Sequence, residues 1–269
     1  MSIESILFNT ACFMYVASMF AFFMYYILGN ISSYKVGIWV MRAAFFIHTA
    51  AIIARSINAK YIPLTNQFEF ASFFAWGICL LFLLIDKKYG IKALGTFISP
   101  IVTFILLYAA AQPKEIRPLL PVIQNNWILA HVLTAVLSYG TFASACAVSV
   151  IYLIHERSGR DQVSPSGFKH LHVLSILSHR LISLGFVTLT AVIISGAIWA
   201  ERAWGSYWQW DPKETWSLIT WIVYTIYFHI RTNRRCNSKA TAWYAIVGFI
   251  TVLFAYIGAN TLLAGYHSY

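Results

Sequence analysis

Five tryptophans fall within the eighteen residues from Trp199 to Trp216: Trp199, Trp204, Trp208, Trp210 and Trp216. Tryptophan favours membrane–water interfaces, so an aromatic belt accounts for one or two at each span end. It accounts less well for Trp204, Trp208 and Trp210 in one short loop around Gly205. The other reading is a shelf: large, rigid apolar faces with a polar N–H at the edge suit a flat aromatic ligand lying half in lipid and half in water. Two histidines are expected at the same depth. His131 follows Trp127 by one helical turn, and His267 lies in Leu-Ala-Gly-Tyr-His-Ser-Tyr. Each reads either as a solvated helix end or as a ligand, because neutral imidazole is a standard axial ligand of haem iron.

Three other positions carry chemistry or its bland equivalent. His229 lies roughly 27 Å along its helix from Asp211 at 1.5 Å per residue, near the far end of the span. An intramembrane ionisable group is a functional candidate, whereas the neighbouring Arg231 favours a snorkelling polar end. His48, in Phe-Phe-Ile-His-Thr-Ala-Ala, reads as a hydrogen-bonded packing histidine between Arg42 and Arg55. Arg55, near a span end, suits a haem propionate. His155, His170, His172 and His179 sit in or beside a connector and read mostly as solvated.

The elements that position these residues are membrane helices. The 269 residues are 59% hydrophobic and 10% charged, with a mean hydropathy of +0.68. A soluble domain carries roughly 25% charged residues, so lipid must solvate most of this chain. Apolar runs of about 20 residues, enough for the bilayer core, fall at 6–28, 36–56, 67–85, 91–110, 127–154, 180–201, 212–231 and 241–263. The expected fold is an all-α integral membrane protein of about eight transmembrane helices in a single membrane domain over 1–269. The seventh span starts at Asp211-Pro212-Lys213-Glu214, with Asp as N-cap, Pro at the first helical position and Glu placed for a capping box. Asn66 and Glu69 give the third span the same kind of start.

Lysine and arginine in alternate loops set the orientation. Lys35, Lys87, Lys88, Lys92, Arg157, Arg160, Lys169, Arg180, Arg231, Arg234, Arg235 and Lys239 fall on one side; Arg55, Lys60, Lys114, Arg117, Arg202 and Lys213 fall on the other. The richer side is the cytoplasm or stroma. Both termini and the 199–216 loop are then expected outside. The net charge of +10 is thus an orientation signal rather than a nucleic-acid footprint. The stretch 155–179 reads as an inner connector with Ser, Gly and Pro punctuation. Cys12, Cys79, Cys146 and Cys236 form no C-x-x-C, and three lie in apolar runs, so they read as small buried hydrophobes. There is no C-x-x-C-H motif, so the chain is not itself a c-type cytochrome. The N-terminus lacks a basic region and an A-x-A site, and its first apolar run is expected to remain as a span.

The segment Trp204-Gly-Ser-Tyr-Trp-Gln-Trp-Asp-Pro-Lys-Glu-Thr-Trp216 resembles the tryptophan-rich WWD signature of haem-handling membrane proteins. Its form WGxYWxWDPKETW resembles the CcsA/ResC branch, which serves system II of cytochrome c maturation. Pro63-Leu-Thr-Asn-Gln-Phe-Glu69 resembles that family's P-x-x-N-x-x-E segment, and Leu263-Ala-Gly-Tyr-His-Ser-Tyr269 resembles its C-terminal histidine motif. The resemblance implies that His131 and His267 ligate haem b iron axially, and that Trp204, Trp208, Trp210 and Asp211 belong to the loop cradling the macrocycle. It implies that His229 matches an intramembrane histidine that helps move haem outward, as a ligand of a transmembrane haem whose second ligand comes from a CcsB/ResB-type partner. It further implies a subunit of a cytochrome c synthase that attaches haem to apocytochrome c at Cys-x-x-Cys-His. The setting would be a bacterial plasma membrane or a thylakoid, with thiol-reducing pathway proteins as further partners. No residue stands out as a catalytic general base. Two alternatives stay open: a haem exporter of the CcmC type, with fewer spans and a different continuation after the Asp, and a membrane transporter without haem.

Overall fold

The computed structural model describes residues 2–116, 126–159, 170–232 and 238–258. Its contacts divide the chain into two compact units, Met1–Leu120 and Pro121–Tyr269. Each of the eight expected spans corresponds to a helix, and no strand occurs among the described residues. Among the described residues, six helices are long and apolar enough to cross a membrane. The fourth is apolar but only 17 residues long. The seventh has 21 residues but spends part of its length on Lys213, Glu214, His229 and Arg231. The protein is an all-α, multi-pass membrane protein.

The first unit holds α1 (Ile3–Leu28), α2 (Ile31–Ala59), α3 (Gln67–Tyr89) and α4 (Leu94–Ala110). The chain itself punctuates them. Ser2, Asn30 and Asn66 cap the first three helices by accepting backbone N–H groups, and Gly29 and Gly90 close α1 and α3 at positive φ. Lipid supplies no hydrophobic drive between helices, so close packing and interhelical hydrogen bonds must hold them. Phe22 of α1 fills the space left by two glycines. A Cβ at Gly37 would lie 3.0 Å from its ring and one at Gly95 only 2.5 Å. Ser18 donates to the Gly37 carbonyl at 2.9 Å. His48 is fully buried, with Nε2 2.8 Å from the Ser72 hydroxyl and Nδ1 3.5 Å from that of Tyr15. It is a packing histidine, as its sequence context predicts.

The second unit holds α5 (Asn126–Arg157), α6 (His170–Trp204), α7 (Pro212–Thr232) and α8 (Ser238–Leu253), which ends in a π-turn over Phe254–Gly258. Helix α6 begins ten residues before the expected span at 180, and α5 runs on to Arg157, so the connector between them is shorter than 155–179. The reason is that hydropathy marks the lipid-solvated part of a helix, whereas backbone hydrogen bonding continues through polar turns beyond it. His179 shows the consequence. It is half-buried, not solvated, with Nδ1 3.2 Å from the Tyr227 hydroxyl. The core uses the same small-residue logic as the first unit. Phe142 and Tyr224 stack at 3.8 Å between ring centroids, and Ser138 donates to the Gly185 carbonyl at 2.9 Å. Cys12, Cys79 and Cys146 are free thiols, none exposed; Cys236 lies outside the described residues.

Tyr224 gives a direct test of this packing. A Cβ at Gly248 would lie 2.5 Å from Tyr224 Cζ, and the same ring is held in a stack by Phe142. Gly248→Ala is expected to destabilise the second unit by about 1–3 kcal/mol, the usual cost of overpacking a filled core. A lowered unfolding midpoint in detergent measures it. An unchanged midpoint would mean that α7 and α8 are not held at this separation.

Candidate functional site

The tryptophan loop is built by the ends of two helices. Gly205, at φ +73°, closes α6 by donating its N–H to the Glu201 carbonyl at 2.8 Å. Seven residues later α7 starts as its sequence predicts. Asp211 caps it, accepting from the Lys213 N–H at 2.8 Å, and is itself 4% exposed. Glu214 reaches back and takes two loop N–H groups on one oxygen, Gln209 at 2.8 Å and Asp211 at 3.2 Å. Trp210 stands between those two anchors at φ +58°. A bulky residue in the left-handed region costs of order 1–3 kcal/mol and persists only where the surroundings impose it. Here Glu214 grips the backbone on both sides, and Thr215 donates to the Trp210 carbonyl at 3.3 Å. The strained residue aims its ring outward, 69% exposed.

The other rings form a graded shelf around it. Trp208 meets Trp210 edge to face at 5.7 Å, and the Ser206 hydroxyl donates to the Trp208 carbonyl at 3.1 Å. Trp204, partly exposed, sits edge to face on the buried Trp199 at 6.3 Å. Trp216 packs at 4.1 Å against Phe254 of the π-turn, which brings the end of α8 to the start of α7. An interfacial belt does not require a strained backbone. Replacing Glu214 by alanine is expected to release both anchors, at about 1–3 kcal/mol for each donor left unsatisfied. Amide exchange at Gln209 and Asp211 should then accelerate while the α7 interior stays protected. Glu214→Gln, which keeps an acceptor, should restore most of the protection; equal exchange in all three proteins would exclude Glu214 as the anchor.

His131 lies at the same end of α6. It is half-buried on α5, with Nδ1 2.9 Å from the Val192 carbonyl and 3.5 Å from the Ser195 hydroxyl. A carbonyl only accepts, so the bond requires a proton on Nδ1 and leaves the lone pair on Nε2 in the neutral ring. One turn before His131, Trp127 stacks beneath the Arg202 guanidinium at 5.7 Å. The imidazole thus stands beside Gly196, eight residues or about 12 Å of helix from Trp204. His267 lies outside the described residues. The chain leaves the described part of α8 through Phe254–Gly258, at the end where Phe254 meets Trp216.

His229 is set apart from this cluster. Its side chain is exposed on α7, on a face other than that of the buried Thr220, Tyr224 and Tyr227. Sequence reasoning missed the polar contacts on the adjoining face: His179 with Tyr227, and Arg231 donating to the Ser175 hydroxyl at 2.8 Å. The signal was present as the matched one-turn spacings 175/179 and 227/231. Arg55 is 4% exposed and paired with Glu4 at 2.7 Å and Glu69 at 2.8 Å, so its charge is already met inside the first unit.

The family model described as "Cytochrome C assembly protein" matches residues 64–267, which include every candidate named above except Glu4, His48 and Arg55. Among curated relatives, the cytochrome c biogenesis protein CcsA of Chlamydomonas reinhardtii is 38% identical over 226 residues, spanning 81% of this chain and 64% of that protein. CcsA of Guillardia theta is 35% identical, spanning 82% of this chain and 81% of the relative. CcsA of Synechococcus elongatus is also 35% identical, with 82% of both chains covered. Among solved structures, the cytochrome c haem lyase CcmF matches with a TM-score of 0.73 at 14% identity, over 94% of this chain and 46% of that one. That likeness is one of fold. The identity and coverage of the curated relatives, with the family match over most of the chain, show that this chain belongs to the cytochrome c assembly family as a CcsA-type cytochrome c biogenesis protein.

Proposed function

We propose that this chain presents haem at its tryptophan loop and takes part in attaching it to apocytochrome c, as the CcsA-type subunit of a system II synthase. The observation that carries the reading is His131. Its Nδ1–H is committed to the Val192 carbonyl, the arrangement by which a metal-binding histidine presents Nε2. It stands at the end of the unit where a strained tryptophan loop offers exposed ring faces. His131 and His267 hold the haem b iron from opposite faces, while Trp204, Trp208 and Trp210 lie along the macrocycle. Asp211 shapes the loop as the cap of α7.

Haem enters from the cytoplasmic side near His229. The lysine and arginine distribution supports this direction, with both termini and the loop outside. The exposed His229, on a helix less apolar than its neighbours, suits a partner helix of the CcsB/ResB type that supplies a second ligand. At the outer site the Cys-x-x-Cys-His segment of apocytochrome c meets the exposed edge, and its histidine displaces one ligand. Each cysteine S–H adds across a haem vinyl group, sulfur forming the thioether bond and hydrogen going to the other vinyl carbon. No oxidant is consumed. The protein contributes proximity and orientation.

The test is reconstitution in a bacterial host lacking its own cytochrome c maturation, with this chain, a CcsB-type partner and a reporter apocytochrome c. Covalent haem on the reporter that depends on His131 is the expected result. Haem accumulating outside without attachment would favour an exporter, and no haem in either place would remove the reading.

A further inference from the structure

Helix α6 meets His131 with an unusual surface. Ser195, Gly196 and Trp199 lie three, four and seven residues after Val192, so the four share one stripe of the helix, and Val192, Ser195 and Gly196 meet the His131 ring. Gly196 is the point of closest approach. A Cβ there would lie 2.9 Å from His131 Cε1 and 3.0 Å from Nδ1, distances at which the ring must move. The backbone of Gly196 is ordinary α-helix, so glycine is not needed for its conformation, and it is a weaker helix former than alanine. What glycine supplies is room for the imidazole. With the ring against the bare Cα, Nδ1 reaches the carbonyl of Val192, and the Ser195 hydroxyl, donating to the Ala191 carbonyl at 2.6 Å, stands 3.5 Å away.

We propose that Val192 and Gly196 are positioning residues for His131: the carbonyl of one and the missing side chain of the other fix the ring's tautomer and rotation, so that Nε2 is presented to haem iron. The inference rests on the reading of His131 as an axial ligand. A carbonyl-bonded Nδ1–H makes Nε2 a stronger donor, and losing such a support typically costs 10–100-fold in affinity. Gly185 provides the internal control. It lies on the same helix against the same neighbour, where a Cβ would lie 2.7 Å from both Phe142 Cε1 and Thr141 Oγ1, in the packing core and not at the histidine.

The experiment uses the full chain purified in detergent and titrated with ferric haem, as wild type, Gly196→Ala, Gly185→Ala and His131→Ala. Gly196→Ala is expected to bind haem 10–100-fold more weakly, with a loss of low-spin character and a raised reduction potential, and added imidazole should restore the low-spin spectrum. Gly185→Ala should lower the melting temperature and leave the spectrum and potential as in wild type. Nitrogen-15 NMR of the haem-free wild type, with His131 assigned by its disappearance in His131→Ala, should show Nδ1 protonated. This last reading stands even where Gly196→Ala does not fold. Wild-type haem affinity and potential in Gly196→Ala, or a proton on Nε2, overturns the proposal while His131→Ala still loses haem. Wild-type haem binding by His131→Ala overturns both the proposal and the ligand reading beneath it.

Discussion

Replacing Arg55 by leucine is expected to destabilise the first unit by about 3–5 kcal/mol, the usual consequence of removing one partner from a buried ion pair. The guanidinium bonds Glu4 at 2.7 Å through Nη1 and Glu69 at 2.8 Å through Nε, and donates to the Lys114 carbonyl at 3.0 Å. Its face lies over the Phe68 ring at 4.8 Å. Without it two carboxylates remain, 8% and 2% exposed, with no comparable partner for their charge among the described residues. Arg55→Lys is expected to fall between, because an ammonium is a point donor that cannot reproduce the planar fork. Denaturation in detergent, followed by helical circular dichroism, measures the difference. A loss below about 1 kcal/mol, as for a solvated surface pair, would contradict the buried clamp.

That cluster also explains why Pro63-Leu-Thr-Asn-Gln-Phe-Glu69 is patterned as it is. Asn66 accepts the Glu69 N–H at 2.9 Å and so starts α3. One Glu69 oxygen takes both the N–H and the hydroxyl of Thr65, at 2.9 and 2.8 Å, and the other takes Arg55. The segment is a joint fastening α1, α2 and α3 at one end.

The second large effect is expected at His131. On the proposed reading His131→Ala removes an axial donor, so haem affinity at the tryptophan loop should fall by at least about tenfold, the lower bound for losing even a supporting residue of a metal ligand. Added imidazole should recover the low-spin spectrum by filling the vacated position, because the Gly196 recess and the Val192 carbonyl that received the ring remain. His229→Ala should instead leave the outer site able to bind added haem and reduce delivery in cells. A His131→Ala protein that binds haem as wild type does would remove His131 from the ligand set.

Helix starts were the most legible features because their determinants are adjacent in sequence. Asp211-Pro212-Lys213-Glu214 specifies its own cap, and the observed bonds from Lys213 and Asp211 follow from that spacing. The spans were legible because lipid selects for hydropathy over about 20 residues. The Arg55 clamp was not legible as such, since its partners lie 51 and 14 residues away and only packing joins them. The left-handed Trp210 was also hidden. Nothing local favours it, and the bond from Gln209 to Glu214 spans five residues. The tautomer of His131 depends on a carbonyl 61 residues along the chain, which no side-chain pattern announces.

The most direct measurement is the visible absorption spectrum of the detergent-purified protein with haem, oxidised and reduced, beside that of the His131→Ala/His267→Ala double variant. A low-spin, bis-histidine spectrum is expected in the wild type, lost in the double variant and regained with imidazole. A wild type that takes up no haem, alone or with a CcsB-type protein, would contradict this reading and return the tryptophan loop to the role of an interfacial anchor.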